Sequence, residues 1–156
     1  CPCGYLGDER GRCRCSETQV QRYRARISGP LLDRIDLHVE MPRPEASQFR
    51  QTVRSEDSAM VATRVGQARA MQQARCEIIN ARLETRDLRR HCILRGSTER
   101  LLEQSMRHLD LSARARDRIL KVARTIADLE RAETILDHHL AEAIQLRRAK
   151  RTPLQT

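Results

Sequence analysis

The segment from Ser28 to Met41 constrains the fold of this chain more than any other part of its sequence. It opens with Ser-Gly-Pro, and proline suits the first turn of a helix because its missing N–H would be unpaired there in any case. It ends in a strict alternation of apolar and polar residues from Ile35 to Met41, which predicts a strand with one buried face. Arg34 lies at the joint between the short helix and the strand.

A loop and a helix are predicted before this segment. Three glycines predict turns within residues 1–15. Ser16 and Gln19 have the spacing of a capping box, in which each residue's side chain bonds the other's backbone N–H. The sequence therefore predicts a helix over residues 17–27.

After Pro42 and Pro44, which interrupt regular structure, the apolar residues recur with helical spacing. We predict an N-terminal part over 1–45, a linker over 46–55 and a helical domain over 56–156. The predicted helices of that domain cover 56–75 and, with less support from the pattern, 85–92, then one capped by Ser97 or Thr98, one capped by Ser112, and a last one from about Leu136 that Thr152-Pro153 ends.

Four cysteines surround the N-terminal loop, namely Cys1, Cys3, Cys13 and Cys15. Four thiolates in tetrahedral array can hold a structural zinc ion, although C-x-C pairs are tighter than the usual C-x₂₋₄-C spacing. Two alternatives stay open, namely reduced cysteines without metal and disulfides, although nothing in the sequence places the chain in an oxidising compartment. Cys76 and Cys92 stand alone and are predicted to be small core residues.

The charge of the chain favours an acidic partner. The net charge is +9, and Lys121 and Lys150 are the only lysines. After Glu45 the chain has 22 of its 30 basic residues and 14 of its 21 acidic residues, so most of the positive excess lies in this part. With three aromatic residues in the chain, nucleic-acid contacts would be mainly to phosphates and not by base stacking. The arginine content could equally reflect a GC-rich genome, with the side chains only solvating the surface.

Hydropathy gives no sign of a membrane or of secretion. No apolar run reaches the length of about 18 residues that a spanning helix needs, and no secretory leader pattern is present. We therefore expect a cytoplasmic protein without a membrane partner.

The wording SGPLLDRIDL, together with the preceding CPCG and CRC pairs, resembles the arginine-finger segment of the magnesium-chelatase-like branch of AAA+ ATPases. Within that branch it is most similar to the ComM and YifB group. The resemblance implies a mostly α chain in two parts. The first is the C-terminal end of an α/β ATPase core, with the cysteine-rich loop, a helix, the arginine-finger segment and one strand; the second is a helical lid.

The same resemblance implies roles for two arginines. Arg34 matches the arginine finger, which stabilises the developing charge on the γ-phosphate bound by a neighbouring subunit. Arg114 matches the sensor-2 arginine, which touches bound nucleotide. From the residues alone, Arg34 could belong to a local ion-pair cluster with Asp33 and Asp36, and the helix of Arg114 could be a packing helix with basic decoration. Arg118 has no role in the resemblance and is predicted to be solvated.

For the whole protein, the resemblance implies a homo-oligomeric, hexameric ring that uses ATP with Mg²⁺. Hydrolysis would drive DNA remodelling or branch migration in recombination and natural transformation. The basic cluster Arg147, Arg148, Lys150 and Arg151 is the candidate DNA contact. The alternatives are the ATPase subunit of a magnesium chelatase and a non-enzymatic, zinc-stabilised nucleic-acid-binding module.

Two ATPase motifs are missing from this sequence. It contains neither a G-x-x-x-x-G-K-[ST] phosphate loop nor an apolar run ending in Asp-Glu. We therefore expect a C-terminal portion of the ATPase, inactive by itself. Leu146 stands where the family phrase has an aromatic residue. His138 and His139 are expected to point apart as helical neighbours, and so not to form a ligand pair.

Overall fold

The computed structural model describes residues 1–8, 10–32, 34–39, 41 and 56–147. The predicted linker over 46–55 and the predicted end of the last helix lie outside the described residues. The chain divides into two compact units, Cys1–Ile35 and Asp36–Thr156.

The first unit contains the cysteine-rich loop and two helices, α1 (Glu17–Arg24) and α2 (Gly29–Leu32). The capping box is present: the backbone N–H of Gln19 donates to the Ser16 hydroxyl at 3.3 Å, and the Gln19 side chain accepts from the Ser16 N–H at 3.0 Å. Helix α1 ends three residues before the predicted position. Val20 is its buried side chain.

The described residues of the second unit form five α-helices and one 3₁₀ turn over Asn80–Arg82. All the predicted helices of this part are present. Ser112 caps its helix as predicted, since its hydroxyl accepts from the backbone N–H of Ala115 at 3.2 Å. The helices are α3 (Ser58–Cys76), α4 (Thr85–His91), α5 (Ser97–His108), α6 (Ala113–Leu129) and α7 (Asp137–Arg147).

One predicted cap is wrong. Ser97 and Thr98 both lie inside the first turn of α5, and its N-cap is Gly96. Gly96 has a φ of 58°, which glycine adopts without the strain of a Cβ atom. The Thr98 hydroxyl instead donates to the Asp137 carboxylate at the start of α7.

Helix α6 is the centre of the second unit. It packs against α7, α3 and α4, and α7 also packs against α5. Ala123 and Ala127 are fully buried, and these small side chains let the neighbouring helices approach α6 closely. The core is completed by apolar residues from the other elements, chiefly Leu83, Leu88, Leu102, Ile135, Leu140 and Ile144.

The predicted strand after Arg34 is not formed. None of the described residues, including 34–39 and 41, is in a strand. The side chains predicted to form its buried face are exposed, from 39% for Ile35 to 83% for Met41. A strand needs a second strand to satisfy its backbone N–H and C=O groups, and the described residues supply none.

None of the described helices is both long enough and apolar enough to cross a membrane.

Candidate functional site

The four N-terminal cysteines converge on one point. The Sγ atoms of Cys1, Cys3 and Cys13 lie 3.4 to 3.7 Å apart. Together with the sulfur of Cys15, all four lie within 4.8 Å of one another. A tetrahedral zinc ion with Zn–S bonds of about 2.3 Å would place its sulfur ligands about 3.8 Å apart. The four thiols are thus spaced as a zinc site requires.

Backbone and side-chain contacts shape the cysteine loop. The N–H of Leu6 donates to the Cys1 sulfur at 3.2 Å. Hydrogen bonding lowers the pKa of Cys3 from 9.0 to about 7, chiefly through the backbone at Tyr5 and then through the thiol of Cys15. These contacts favour the thiolate of Cys3, and the thiolate is the form that binds metal.

The loop is also closed by an ion pair. Arg12 donates two hydrogen bonds to the Asp8 carboxylate, at 2.8 and 2.9 Å. Its guanidinium also lies 4.4 Å from the ring centroid of Tyr5. These contacts tie the chain before Cys13 to the chain after Cys3.

Arg34 follows the single turn of α2. The Ser28 hydroxyl caps this turn by accepting from the N–H of Leu31 at 3.3 Å, and the Arg34 N–H donates to the Leu31 carbonyl at 2.9 Å. The Arg34 side chain is exposed. The alternative ion-pair partner Asp33 lies outside the described residues.

Arg114 is the second residue of α6, and its side chain is exposed. A cation in the first turn of a helix opposes the helix dipole. The next residue, Ala115, is buried. Arg114 therefore lies on the side of α6 that does not pack into the core.

Arg118, one turn further along α6, is not simply solvated as the sequence predicted. It donates to the carboxylate of Asp36, which lies 82 residues away in the chain. Sequence spacing could not reveal this pair. It also shows that Asp36, proposed from the residues alone as a neighbour for Arg34, has a partner on α6.

Arg124 is buried, with 1% of its surface exposed. It donates to the carbonyls of Glu133 at 2.9 Å and Ala132 at 2.6 Å, and its Nε donates to Asp128 at 3.2 Å. Desolvation lowers its pKa. Arg124 thus fixes the turn that follows α6.

Asp128 joins this arginine to the rest of the unit. Its buried carboxylate also accepts from Arg75 of α3 and, at 2.8 Å, from the Asn80 side chain. Two guanidinium groups and an amide therefore compensate one buried carboxylate. The i, i+4 spacing of Arg124 and Asp128 was a signal for this pair, but it could not show that the pair is buried.

The expectation that His138 and His139 point apart is wrong. The Nε2 atoms of both rings lie 2.9 Å from the same carboxylate oxygen of Glu130, and their ring centroids are 4.0 Å apart. Hydrogen bonds from His138 and then His139 lower the pKa of Glu130. The rings converge because Glu130, which directly follows α6, places its carboxylate beside the first turn of α7.

The hydrogen bonding of His139 does not suit a metal ligand. The backbone N–H of Leu136 donates to Nδ1 of His139 at 2.9 Å, so that Nδ1 must be the unprotonated nitrogen. Nε2 of His139 therefore carries the proton and donates to Glu130. It has no lone pair for a metal ion.

Of the predicted DNA contacts, Arg147 is the last described residue of α7, and it is buried at 9% exposure. Arg148, Lys150 and Arg151 lie outside the described residues.

Comparison with known proteins assigns both units to one family. The family model described as magnesium chelatase, subunit ChlI C-terminal, matches residues 55–147, and the model described as magnesium chelatase, subunit ChlI, matches residues 1–49. This chain belongs to the magnesium chelatase ChlI family. The predicted family is thereby confirmed, and helices α3 to α7 all fall within the ChlI C-terminal match.

Individual relatives include members of the ComM and YifB group. The chain is 46% identical to the uncharacterized protein YifB of Salmonella typhimurium and 44% identical to the competence protein ComM of Haemophilus influenzae, over 86% of its length in both cases. An uncharacterized protein of Mycobacterium bovis is 34% identical over 83% of the chain. The chain spans 26 to 27% of the length of these relatives.

Proposed function

We propose that this chain is the C-terminal part of a ring-forming AAA+ ATPase, in which Arg34 completes the nucleotide site of a neighbouring subunit. The observation that carries the proposal is the position of Arg34. Its exposed side chain follows a one-turn helix that the Ser28 hydroxyl caps. An arginine so placed can meet the charge that develops on a γ-phosphate without leaving its own subunit.

Arg114 is the proposed sensor-2 residue for the same reaction. Its exposed position at the start of α6 leaves the guanidinium accessible to a nucleotide phosphate. The electrostatic cost of a cation at this end of a helix is a few tenths of a kcal/mol. Such a cost is readily offset by one charge-assisted hydrogen bond to phosphate.

The cysteine loop is proposed to hold a structural zinc ion through Cys1, Cys3, Cys13 and Cys15. The spacing of the four sulfurs and the N–H donors to them support this assignment. A short glycine-rich loop has little core of its own, so a metal would supply much of its folding free energy. ATP with Mg²⁺ would be bound by residues outside this chain, apart from the contacts of the two arginines.

DNA is the proposed macromolecular partner of the assembled ring. The basic excess after Glu45 and the similarity to a protein named for competence support this part. The proposed activity is ATP-driven remodelling or branch migration of DNA by a hexameric ring. The second candidate is a magnesium chelatase subunit, which the names of the matching family models favour.

The test of the proposed function is the ATPase rate of the full-length protein. Arg34→Ala should leave ATP binding intact and lower hydrolysis by about a thousandfold, the scale of a lost arginine finger. The matched control is Arg24→Ala, which removes an exposed arginine from α1. If Arg34→Ala and Arg24→Ala hydrolyse ATP equally well, Arg34 is not an arginine finger.

A further inference from the structure

The segment that follows Arg34 is bound to the helical unit at two points. The first is the ion pair between Asp36 and Arg118 of α6. The Arg118 side chain is 23% exposed and the Asp36 side chain is 56% exposed. A pair this accessible to water contributes little to stability. Its structural effect is to fix the chain at Asp36 on α6.

The second point is His38, which binds the carboxyl end of α7. Its backbone N–H donates to the carbonyl of Leu146 at 2.6 Å, and its ring Nδ1 lies 3.2 Å from the carbonyl of Arg147. The last carbonyls of a helix have no partners within the helix. His38 thus donates two hydrogen bonds to the carbonyls of the last two residues described in α7.

The carbonyl partner also determines that Nδ1 of His38 is a donor. A carbonyl can only accept, so Nδ1 carries a proton and donates to it. Nε2 is buried and has no hydrogen-bond partner among the described residues. A buried polar atom without a hydrogen-bond partner is costly. The hydrogen bond from Nδ1 to the carbonyl of Arg147 helps to offset the cost of burying Nε2.

The two residues of the Asp36–Arg118 ion pair are both near arginines that are proposed to contact nucleotide. Arg118 lies one helical turn after Arg114 on α6. Asp36, its partner, follows Arg34 by two residues. Two residues of chain span at most about 7 Å. The chain two residues after Arg34 is therefore held to α6 by this ion pair.

We propose that Asp36 and His38 are positioning residues that couple the arginine-finger segment to the lid, so that Arg34 and Arg114 respond together. The inference rests on the proposed function. Helix α6 can act as a rigid element because its other side is packed into the core through Ile119, Ala123 and Ala127. When nucleotide engages Arg114, the displacement of α6 is carried by Arg118 and Asp36 to Arg34.

The experiment measures ATP hydrolysis and ATP binding by the full-length protein. Asp36→Asn and Arg118→Gln should each lower kcat by about tenfold, within the range of typical coupling between two sites, and change the Kd for ATP by less than twofold. The exchanged pair Asp36→Arg with Arg118→Asp should recover most of the lost kcat. The matched control is Arg107→Gln, which breaks an exposed ion pair with Glu103 on α5 and should leave kcat unchanged.

His38 is tested by two substitutions of different size and chemistry. His38→Asn retains a side-chain N–H near the position of Nδ1 and should keep most of the activity. His38→Ala should lower kcat while leaving the Kd for ATP unchanged. Thermal unfolding of each variant shows whether a loss of activity is only a loss of fold.

Combination with Arg34→Ala distinguishes positioning from independent action. Since Asp36 acts through Arg34, Asp36→Asn should have no further effect on kcat in the Arg34→Ala background. An equal loss in both backgrounds, or wild-type kcat in both Asp36→Asn and Arg118→Gln, would overturn the inference while leaving the arginine finger intact. A normal ATPase rate in Arg34→Ala alone would instead overturn the proposed function.

Discussion

Arg124 and Asp128, one turn apart on α6, form an ion pair of 3.1 Å in which the two side chains are 2% and 0% exposed. The carboxylate also binds Arg75 of α3, and the guanidinium binds the two carbonyls after α6. This pair therefore links the central helix both to a neighbouring helix and to the turn that leads towards α7.

Breaking this pair should strongly destabilise the helical unit. Asp128→Ala would leave two guanidinium groups without their carboxylate, and removal of one partner of a buried pair costs about 3 to 5 kcal/mol. Urea unfolding followed by circular dichroism measures the change. The control Glu103→Ala removes an exposed carboxylate that pairs with Arg107 and should leave the midpoint unchanged. Equal urea midpoints for both variants would show that the buried pair does not stabilise the helical unit.

Cys92 should be unreactive in the native chain. It is 4% exposed, and desolvation raises its pKa from 9.0 to about 11. Iodoacetamide at pH 8 should modify this thiol only after unfolding, which peptide mass spectrometry can follow. Modification of Cys92 at the same rate in native and unfolded chains would contradict its burial.

The same raised pKa predicts the pH dependence of stability. The folded state keeps Cys92 protonated at pH values where the unfolded state has already lost the proton, so the free energy of unfolding should fall as the pH rises from 9 towards 11. Unfolding measured at several pH values should show a smaller decline in Cys92→Ala. An identical decline in the two proteins would assign the effect to other groups.

The success of sequence reasoning depended on how local each feature was. The capping box at Ser16 and the cap at Ser112 were predictable because both partners lie within one helical turn. The strand predicted after Arg34 is not formed, because a strand depends on a distant partner strand and a local alternation of residues cannot show whether that partner exists. The Asp36–Arg118 pair likewise joins residues from distant parts of the chain.

In the candidate site, too, the local features were predictable from the sequence and the long-range contacts were not. The four cysteines were recognised from their pairing around one loop, and their sulfurs do converge. The convergence of His138 and His139 on Glu130 was missed because it depends on the path of the turn between α6 and α7. The burial of Arg124 was missed because charged residues are rarely buried unless several partners compensate them.

Metal analysis should find one zinc ion per chain. Cys13→Ser should lose it, because one of four thiolate ligands is removed, whereas Cys76→Ser should retain it, because Cys76 lies in α3 within the other unit. Inductively coupled plasma mass spectrometry gives the stoichiometry. Fully folded wild-type chain without zinc would favour reduced cysteines that hold no metal.

Charge reversal at Arg148, Lys150 and Arg151 should weaken DNA binding by the full-length ring and reduce its salt dependence. Each lost phosphate contact on duplex DNA should reduce the slope of log K against log salt by about 0.9. The buried Arg147 is left in place so that the end of α7 is not disturbed. Affinity between about 50 and 200 mM salt is the measurement. Unchanged affinity and slope would mean that the cluster only solvates the surface.

The most direct test of the account is complementation between two inactive full-length subunits. One carries Arg34→Ala, and the other keeps Arg34 but lacks the carboxylates of the Asp-Glu motif in its own ATP site. Each alone should hydrolyse ATP at least about a hundredfold more slowly than wild type. Mixed rings, verified by co-purification of two different tags, should recover part of the wild-type rate, because an intact Arg34 then faces an intact ATP site. Mixed rings that hydrolyse no more ATP than the two separate proteins would contradict the assignment of Arg34 as a finger that acts on a neighbouring subunit.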